Sequence, residues 1–232
     1  MDVLKYKITS IEKMAKDIKV FRMVPEGEAL DYLPGHFVML HALDKQGKDI
    51  VSRPYSLASS PNQEHLEFCI KMIGGKMTSI LDKAKEGQIY GVSGPMGHFL
   101  YEKQENCTFV AGGTGIAPFI SMLRYINEEG IKGNFTLFYS ARERKTLLYQ
   151  DELKELEKDE RFKVVTTLTR EEPKDWKGEC GRIDEAMLVK YCGELKESQW
   201  FLCGPLKMTM NLRKYLIGEG VEESSIKFEG WG

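Results

Sequence analysis

Val110-Ala111-Gly112-Gly113-Thr114-Gly115-Ile116-Ala117-Pro118 is the stretch that decides the fold. An apolar run at 107–111 enters it, and a helical pattern leaves it, with Ile116, Phe119, Ile120, Leu123 and Ile126 on one face. Pro118 falls near the start of that helix, where a missing N–H costs little. A strand that turns through glycines into a helix is where a doubly wound α/β fold binds a dinucleotide's pyrophosphate. Gly113, Thr114 and Gly115 are the candidate contacts, although the loop departs from GxGxxG by carrying Pro118 at the third glycine position. A plain tight turn is the competing reading.

Outward toward the C-terminus, further apolar runs at 134–140, 162–168 and 199–203 alternate with helical stretches. Residues 205–217 place Met208, Leu212, Tyr215 and Leu216 on one face, with Pro205 at the start and Gly218 at the end. This alternation predicts an open parallel sheet covered by helices, with the charged segment 151–160 as a solvated helix face. Toward the N-terminus the signals are six short runs rich in Val, Ile, Tyr and Phe, separated by turn formers such as Pro34-Gly35 and Pro61-Asn62. They predict a small antiparallel β-barrel, interrupted by one helix from Met77 to about Lys85 and ended by Gly87. The polar segment Glu102–Asn106 marks the boundary, giving expected domains at 1–102 and 103–232.

The chain has 232 residues, enough for two cores, and carries 33 basic against 35 acidic residues for a net charge of -2. That balance gives no reason to expect nucleic acid or an acidic membrane surface as partner. With no signal-peptide pattern and no long apolar run, the expected location is cytoplasmic. Five cysteines without a CxxC pair indicate no disulfide framework and no zinc or iron–sulfur site, and the four histidines lack metal-ligand spacing.

Three more stretches carry chemistry. Arg53-Pro54-Tyr55-Ser56 joins a forked phosphate donor, a rigid residue, an aromatic plate and a hydroxyl, the equipment for a flat phosphate-bearing cofactor. Gly74-Gly75-Lys76-Met77-Thr78-Ser79 opens the helix of the first half, and serves equally as an anion site or as a glycine turn with a hydroxyl cap. Leu202-Cys203-Gly204-Pro205 brings a thiol to the same sheet rim as the glycine loop, with no nearby histidine to activate it.

Taken in order, RPYS, GGKMTS, GPMGHF (94–99), GGTGIAP and CGP resemble the ferredoxin–NADP reductase superfamily over essentially the whole chain. The resemblance implies FAD in the barrel and NADH or NADPH in the second domain. It implies that Arg53 binds a flavin phosphate, Tyr55 stacks on the isoalloxazine and Ser56 bonds the nitrogen that receives the hydride. Ile70, Lys71 and Met72 would line the flavin tail, and Gly75, Lys76, Met77 and Thr78 would cradle the FAD pyrophosphate. Gly113 to Gly115, with Pro118 behind them, would take the nicotinamide cofactor's pyrophosphate. Cys203, with Gly204, Pro205 and Met208, would sit by its ring. Family members often end in an aromatic residue over the flavin or an acid near it, which points to Trp231 and Glu229; a frayed terminus is the alternative.

No clustered cysteines mark a fused iron–sulfur domain, so the implied protein is a bare flavin and pyridine-nucleotide core. Its expected activity is NAD(P)H oxidation through FAD to a separate one-electron carrier such as ferredoxin or an oxygenase component. The alternatives are a flavin reductase releasing reduced flavin and a non-catalytic flavin-binding subunit. NADPH is expected over NADH, because Ser140, Arg142, Arg144 and Lys145 follow the second strand where an NAD-preferring unit places an acid, and Tyr149 could stack on the adenine.

Overall fold

The computed structural model describes residues 2–231, and its contacts divide the chain into two compact units. The first runs to Tyr101 and takes in Ala117–Glu128; the second comprises Glu102–Ile116 and the chain from Glu129 onward.

In the first unit, β1 (Leu4–Ala15), β2 (Ile18–Pro25), β3 (Phe37–Leu43), β4 (Asp49–Ser56), β5 (Leu66–Lys71) and β6 (Ile89–Met96) form one antiparallel sheet in the order β4-β3-β6-β1-β2-β5. Alternating burial along these strands follows from their period-2 pattern, and the inward side chains build a core from Tyr6, Phe21, Val38, Leu40, Phe68 and Val92. The sheet curls so that its edge strands β4 and β5 come into contact without pairing. Helix α1 (Lys76–Asp82) lies against β4 beside that seam, and Met77 and Leu81 plug into the core. It stops earlier than the expected Lys85, since the N–H of Lys83 bonds Ile80 O and that of Ala84 bonds Leu81 O, the tighter spacing of a closing turn.

Helix α2 (Ala117–Glu128) belongs to this unit by its contacts. Its apolar face carries Phe119, tilted against Phe99 with centroids 5.8 Å apart, and Tyr125, edge-on to Tyr101 at 6.5 Å. Ser121 Oγ donates to the Ser59 carbonyl at 2.6 Å, and Arg124 donates to Glu67 and to the Ala58 carbonyl, each at 3.0 Å.

In the second unit, six parallel strands run in the order β10-β9-β8-β7-β11-β12. They are β7 (Asn106–Gly112), β8 (Asn134–Ala141), β9 (Phe162–Leu168), β10 (Glu179–Cys180), β11 (Gln199–Pro205) and β12 (Ile226–Trp231), with helices α3 (Gln150–Leu156), α4 (Glu185–Cys192) and α5 (Leu206–Gly218) between them. Val110, Phe138, Trp200 and Leu202 pack with Met187, Leu188, Leu212 and Leu216 of α4 and α5 in one core. The expected strands are present; β10 and β12 are additions. The C-terminal segment therefore closes the sheet as an edge strand, with Trp231 registered against Pro205 and Glu229 against Cys203. No helix among the described residues is long and apolar enough to cross a membrane.

Candidate cofactor sites

In the first unit, the expected flavin-binding stretches meet at the seam. Pro54 is tolerated in β4 because it lies on an edge strand. Arg53 is exposed, and its Nη1 donates to the neighbouring Ser52 carbonyl at 2.7 Å; no carboxylate pairs with it among the described residues. Tyr55 is half-buried against the core, and burial raises its phenol pKa despite the opposing pull of Arg53. Ser56 pairs across the sheet with Phe37. Phe37 in turn pairs with Met96 of the GPMGHF stretch.

The head of α1 lacks a side-chain cap. Gly75 caps it in extended conformation with no side-chain bond, and no acid stands in the first turn. The first backbone N–H groups of a helix without a side-chain cap are open donors. The hydroxyls do not join them: Thr78 Oγ1 donates to the Gly75 carbonyl at 3.1 Å and Ser79 Oγ to the Gly74 carbonyl at 3.2 Å. Lys76 reaches across to β4, where Nζ donates to the Ile50 carbonyl at 2.9 Å. Of the β5 end, Ile70 is buried in the core, Lys71 is exposed and pairs with Asp17 at 3.3 Å, and Met72 is partly buried against the core. This set, a cation without an ion pair and an aromatic plate on β4 with an uncapped helix packed against that strand, fits a flavin diphosphate.

In the second unit the glycines divide their labour. A Cβ on Gly112 would stand 2.7 Å from Pro205 Cδ, and one on Gly204 would stand 3.0 Å from Gly112 Cα. These two residues let the β7 and β11 turns nest, with Met208 lying over both. A Cβ on Gly115 would fall 2.8 Å from the indole tip of Trp231 and closer still to the Cys203 carbonyl oxygen. Gly113 differs: it has φ +57 and nothing within 4 Å of its Cβ position. Open space and left-handed backbone make Gly113, with half-exposed Thr114, the place where a diphosphate can approach. Pro118, also expected here, lies in α2 and groups with the first unit.

Cys203 is fully buried, and burial first, then the charge of Glu229, pushes its thiol pKa well up. Both influences favour the neutral thiol over the thiolate. Burial likewise raises the carboxyl of Glu229, the cross-strand neighbour of Cys203. No group of three or more His, Cys, Asp or Glu gathers for a metal among the described residues.

The ribose-phosphate candidates separate too. Arg144 is tied to Asp175 at 2.7 Å and Lys145 to Glu143 at 2.6 Å, whereas Arg142 has no ion pair among the described residues. Ser140 registers against Gly112 and Thr167 at the sheet rim. Tyr149 is buried at the head of α3 with φ 56, and presents little of its ring to solvent. Two cations were not among the expected residues: exposed Arg170, whose N–H bonds the Arg142 carbonyl at 2.9 Å, and exposed Arg182, just beyond β10. The available signal was an arginine following each apolar strand, legible for Arg170 but not for Arg182 because its strand has two residues.

Two nucleotide-handling units in one chain define a flavin- and pyridine-nucleotide oxidoreductase. The oxidoreductase FAD-binding domain family matches residues 5–101 and the oxidoreductase NAD-binding domain family matches residues 109–214. The chain carries an FAD-binding and an NAD-binding oxidoreductase domain, in the order of the ferredoxin–NADP reductase superfamily that its motifs resemble. Among curated relatives, NADH-cytochrome b5 reductase 2 of Mycosarcoma maydis is 32% identical over 70% of this chain and 48% of its own length. The propane 2-monooxygenase reductase component of Mycolicibacterium goodii is 27% identical over 97% of this chain and 66% of its own length. The chain thus spans only about half to two-thirds of these two relatives. Two solved structures share the fold. The FAD/NAD-binding domain of a nitric oxide dioxygenase from Vibrio cholerae has a TM-score of 0.88 and 21% identity, covering 100% of both chains. A ferredoxin NADP+ reductase from Neisseria gonorrhoeae with bound FAD and NADP has a TM-score of 0.86 and 21% identity, covering 99% of both.

Proposed function

We propose that this enzyme oxidises NADPH through FAD and passes the electrons singly to a separate carrier, a small redox protein such as a ferredoxin or an oxygenase component. The observation that carries the reading is that the strand bearing the unpaired Arg53 is the one α1 packs against with its uncapped, acid-free end, which supports a site for a second phosphate that only a firmly held FAD requires. The reductase components among the relatives support a protein acceptor. FAD, when bound, supplies the step from two-electron hydride acceptance to one-electron delivery.

The protein's own part is placement. Arg53 and the N–H groups after Gly75 hold the flavin phosphates, Tyr55 offers its ring face, and Ser56 offers a hydroxyl to the reacting edge. Gly113 and Thr114 hold the nicotinamide cofactor's diphosphate, and Cys203 with Glu229 walls its ring. The assigned domains are 1–102 for flavin and 103–232 for nucleotide, with α2 lending its contacts to the first.

The test is to purify the protein, identify its flavin and follow NADPH-dependent reduction of an added ferredoxin. FAD retained through gel filtration with ferredoxin reduced in step supports the reading. Flavin lost on the column, with free reduced flavin as the product, would replace it with a flavin reductase.

A further inference from the structure

We propose that strand β12 and the helix α5 beside it form the interface of a two-fold symmetric dimer, the partner being a second copy of this chain. β12 is the last strand of its sheet, and no strand pairs with its outer edge among the described residues. Such an edge presents backbone donors and acceptors that can pair with another strand. An apolar stripe runs along its flank. Leu206, Met210, Arg213 and Ile217 recur at helical spacing and share one face of α5, while Leu212 and Leu216 enter the core from another. Leu206, Met210 and Ile217 are 45%, 44% and 37% exposed, and Phe228 of β12 is 40% exposed. Helix stripe and strand are one surface: the Arg213 guanidinium lies over the Phe228 ring at 5.3 Å, and a Cβ on Gly230 would stand 2.9 Å from Leu206 Cδ1. Exposed apolar residues scattered singly are ordinary, whereas a contiguous patch marks a contact surface.

The surface is complementary to itself. A two-fold interface uses the same patch on both copies, so helix and strand must both match their own copies about one axis. Antiparallel pairing of β12 with its copy, centred on Phe228, puts that axis beside Arg213, because Arg213 lies over the ring. Both copies of α5 then lie antiparallel on the same face of the joined sheet, and Met210 of each falls opposite Ile217 of the other. The charges follow the same rule. Lys207 stands in the first turn of α5, which holds no acid, and Glu219, Glu222 and Glu223 follow its C-terminal end, where the last turn holds no base. Within one copy a cation at the head and acids at the tail oppose the helix macrodipole. Across the axis each Lys207 meets the acidic tail of the other copy, which fixes the antiparallel orientation. Glu223 is bound by Arg213, so that tail lies on the stripe's own side of the helix and the charge nearest the axis is balanced.

The test is sedimentation equilibrium of the whole chain as purified, over a range of protein concentrations. The wild type is expected at twice the mass of one chain. Met210→Asp and Ile217→Asp each set a carboxylate in the apolar contact, and because both side chains are exposed neither change removes core packing. A tenfold loss per copy counts twice across a two-fold axis, so each variant should raise the dimer dissociation constant roughly a hundredfold. Lys207→Glu should also weaken the dimer, and adding Glu222→Lys should recover part of that loss, since the pair of changes exchanges head and tail charges. A wild type that stays monomeric at every concentration, a dimer that both aspartate variants leave intact, or a charge exchange that recovers nothing would each overturn the proposal.

Discussion

Arg124 of α2 donates from Nη1 to a carboxylate oxygen of Glu67 on β5 at 3.0 Å, and Glu67 is only 1% exposed. Arg22 binds the other carboxylate oxygen from Nε at 2.7 Å, so a single buried acid is held between two guanidinium groups. Removing Arg124 leaves the buried carboxylate paired with Arg22 and takes the donor from the Ala58 carbonyl. Arg124→Ala should therefore lower unfolding free energy by about 1.5–3 kcal/mol, the range for a hydrogen bond to a charged group, in a denaturant titration. Arg124→Lys should recover part of the loss, since both bonds leave the single nitrogen Nη1 and an ammonium keeps the charge and the donors on a shorter stem.

Arg53→Ala removes the proposed phosphate donor, a guanidinium that no carboxylate pairs with among the described residues. Loss of a charge-assisted bond costs about 1.5–3 kcal/mol, roughly ten- to hundredfold in flavin affinity. The protein should purify nearly colourless and regain its absorbance only at raised FAD. Full occupancy from the column would contradict the role of Arg53.

Gly115→Ala and Gly113→Ala should differ, although the sequence presents the two glycines alike. Alanine at 115 must push apart the Cys203 carbonyl and the Trp231 ring, backbone and side chain of the two strands beside it. Overpacking of this kind costs about 1–3 kcal/mol, and thermal stability should fall. Alanine at 113 meets no atom but must adopt φ +57, at about 1–2 kcal/mol. Its principal effect should be a raised KM for the nicotinamide cofactor, through a methyl group at the phosphate approach. A Gly115→Ala melting temperature equal to that of the wild type would show that Gly115 is not packed as described.

Glu229 gives a pH dependence of stability. Burial raises its carboxyl above the ordinary value of 4.5, so the folded protein holds this proton at a pH where the unfolded chain has released it. The group's contribution is complete below about pH 4.5 and is lost as pH rises through the folded value. Glu229→Gln should therefore gain stability relative to wild type at pH 8 and show no gain at pH 4. A gain confined to acid pH would reverse the sign and place a compensating cation beside the carboxylate.

The strands of both units were legible because their apolar periods, two in the first and continuous in the second, reflect one-sided and two-sided burial. β12 was not, since Lys227, Glu229 and Gly230 break any apolar pattern, and the segment is a strand only through its pairing with β11. Periodicity also showed which face α2 buries but not against what: the carboxylate that receives Arg124 lies 57 positions earlier in the chain. The phosphate-handling stretches were visible as residue types in order. Which glycine is open and which is packed depends on neighbours from other strands, beyond the reach of a motif.

The proposed selection of NADPH over NADH would rest on cations at the rim of the parallel sheet. The sequence offered Arg142 and Arg144 together, yet Arg144 is tied to Asp175, and its backbone N–H donates to Glu171 at 2.7 Å. Arg142 and Arg170 are exposed, joined through the backbone bond between them, and carry no ion pair among the described residues. A 2′-phosphate would meet two uncommitted guanidinium groups there, each able to make charge-assisted bonds. Arg142→Ala with Arg170→Ala should lower kcat/KM for NADPH by roughly ten- to hundredfold, as expected for about 1.5–3 kcal/mol of lost charged hydrogen bonding, and leave NADH within about twofold. Arg144→Ala should do much less, because that side chain must first leave Asp175. Steady-state specificity constants for both cofactors in the three proteins decide the matter. A wild type that already prefers NADH, or a double variant that slows both cofactors equally, would remove the phosphate-reading role from this rim.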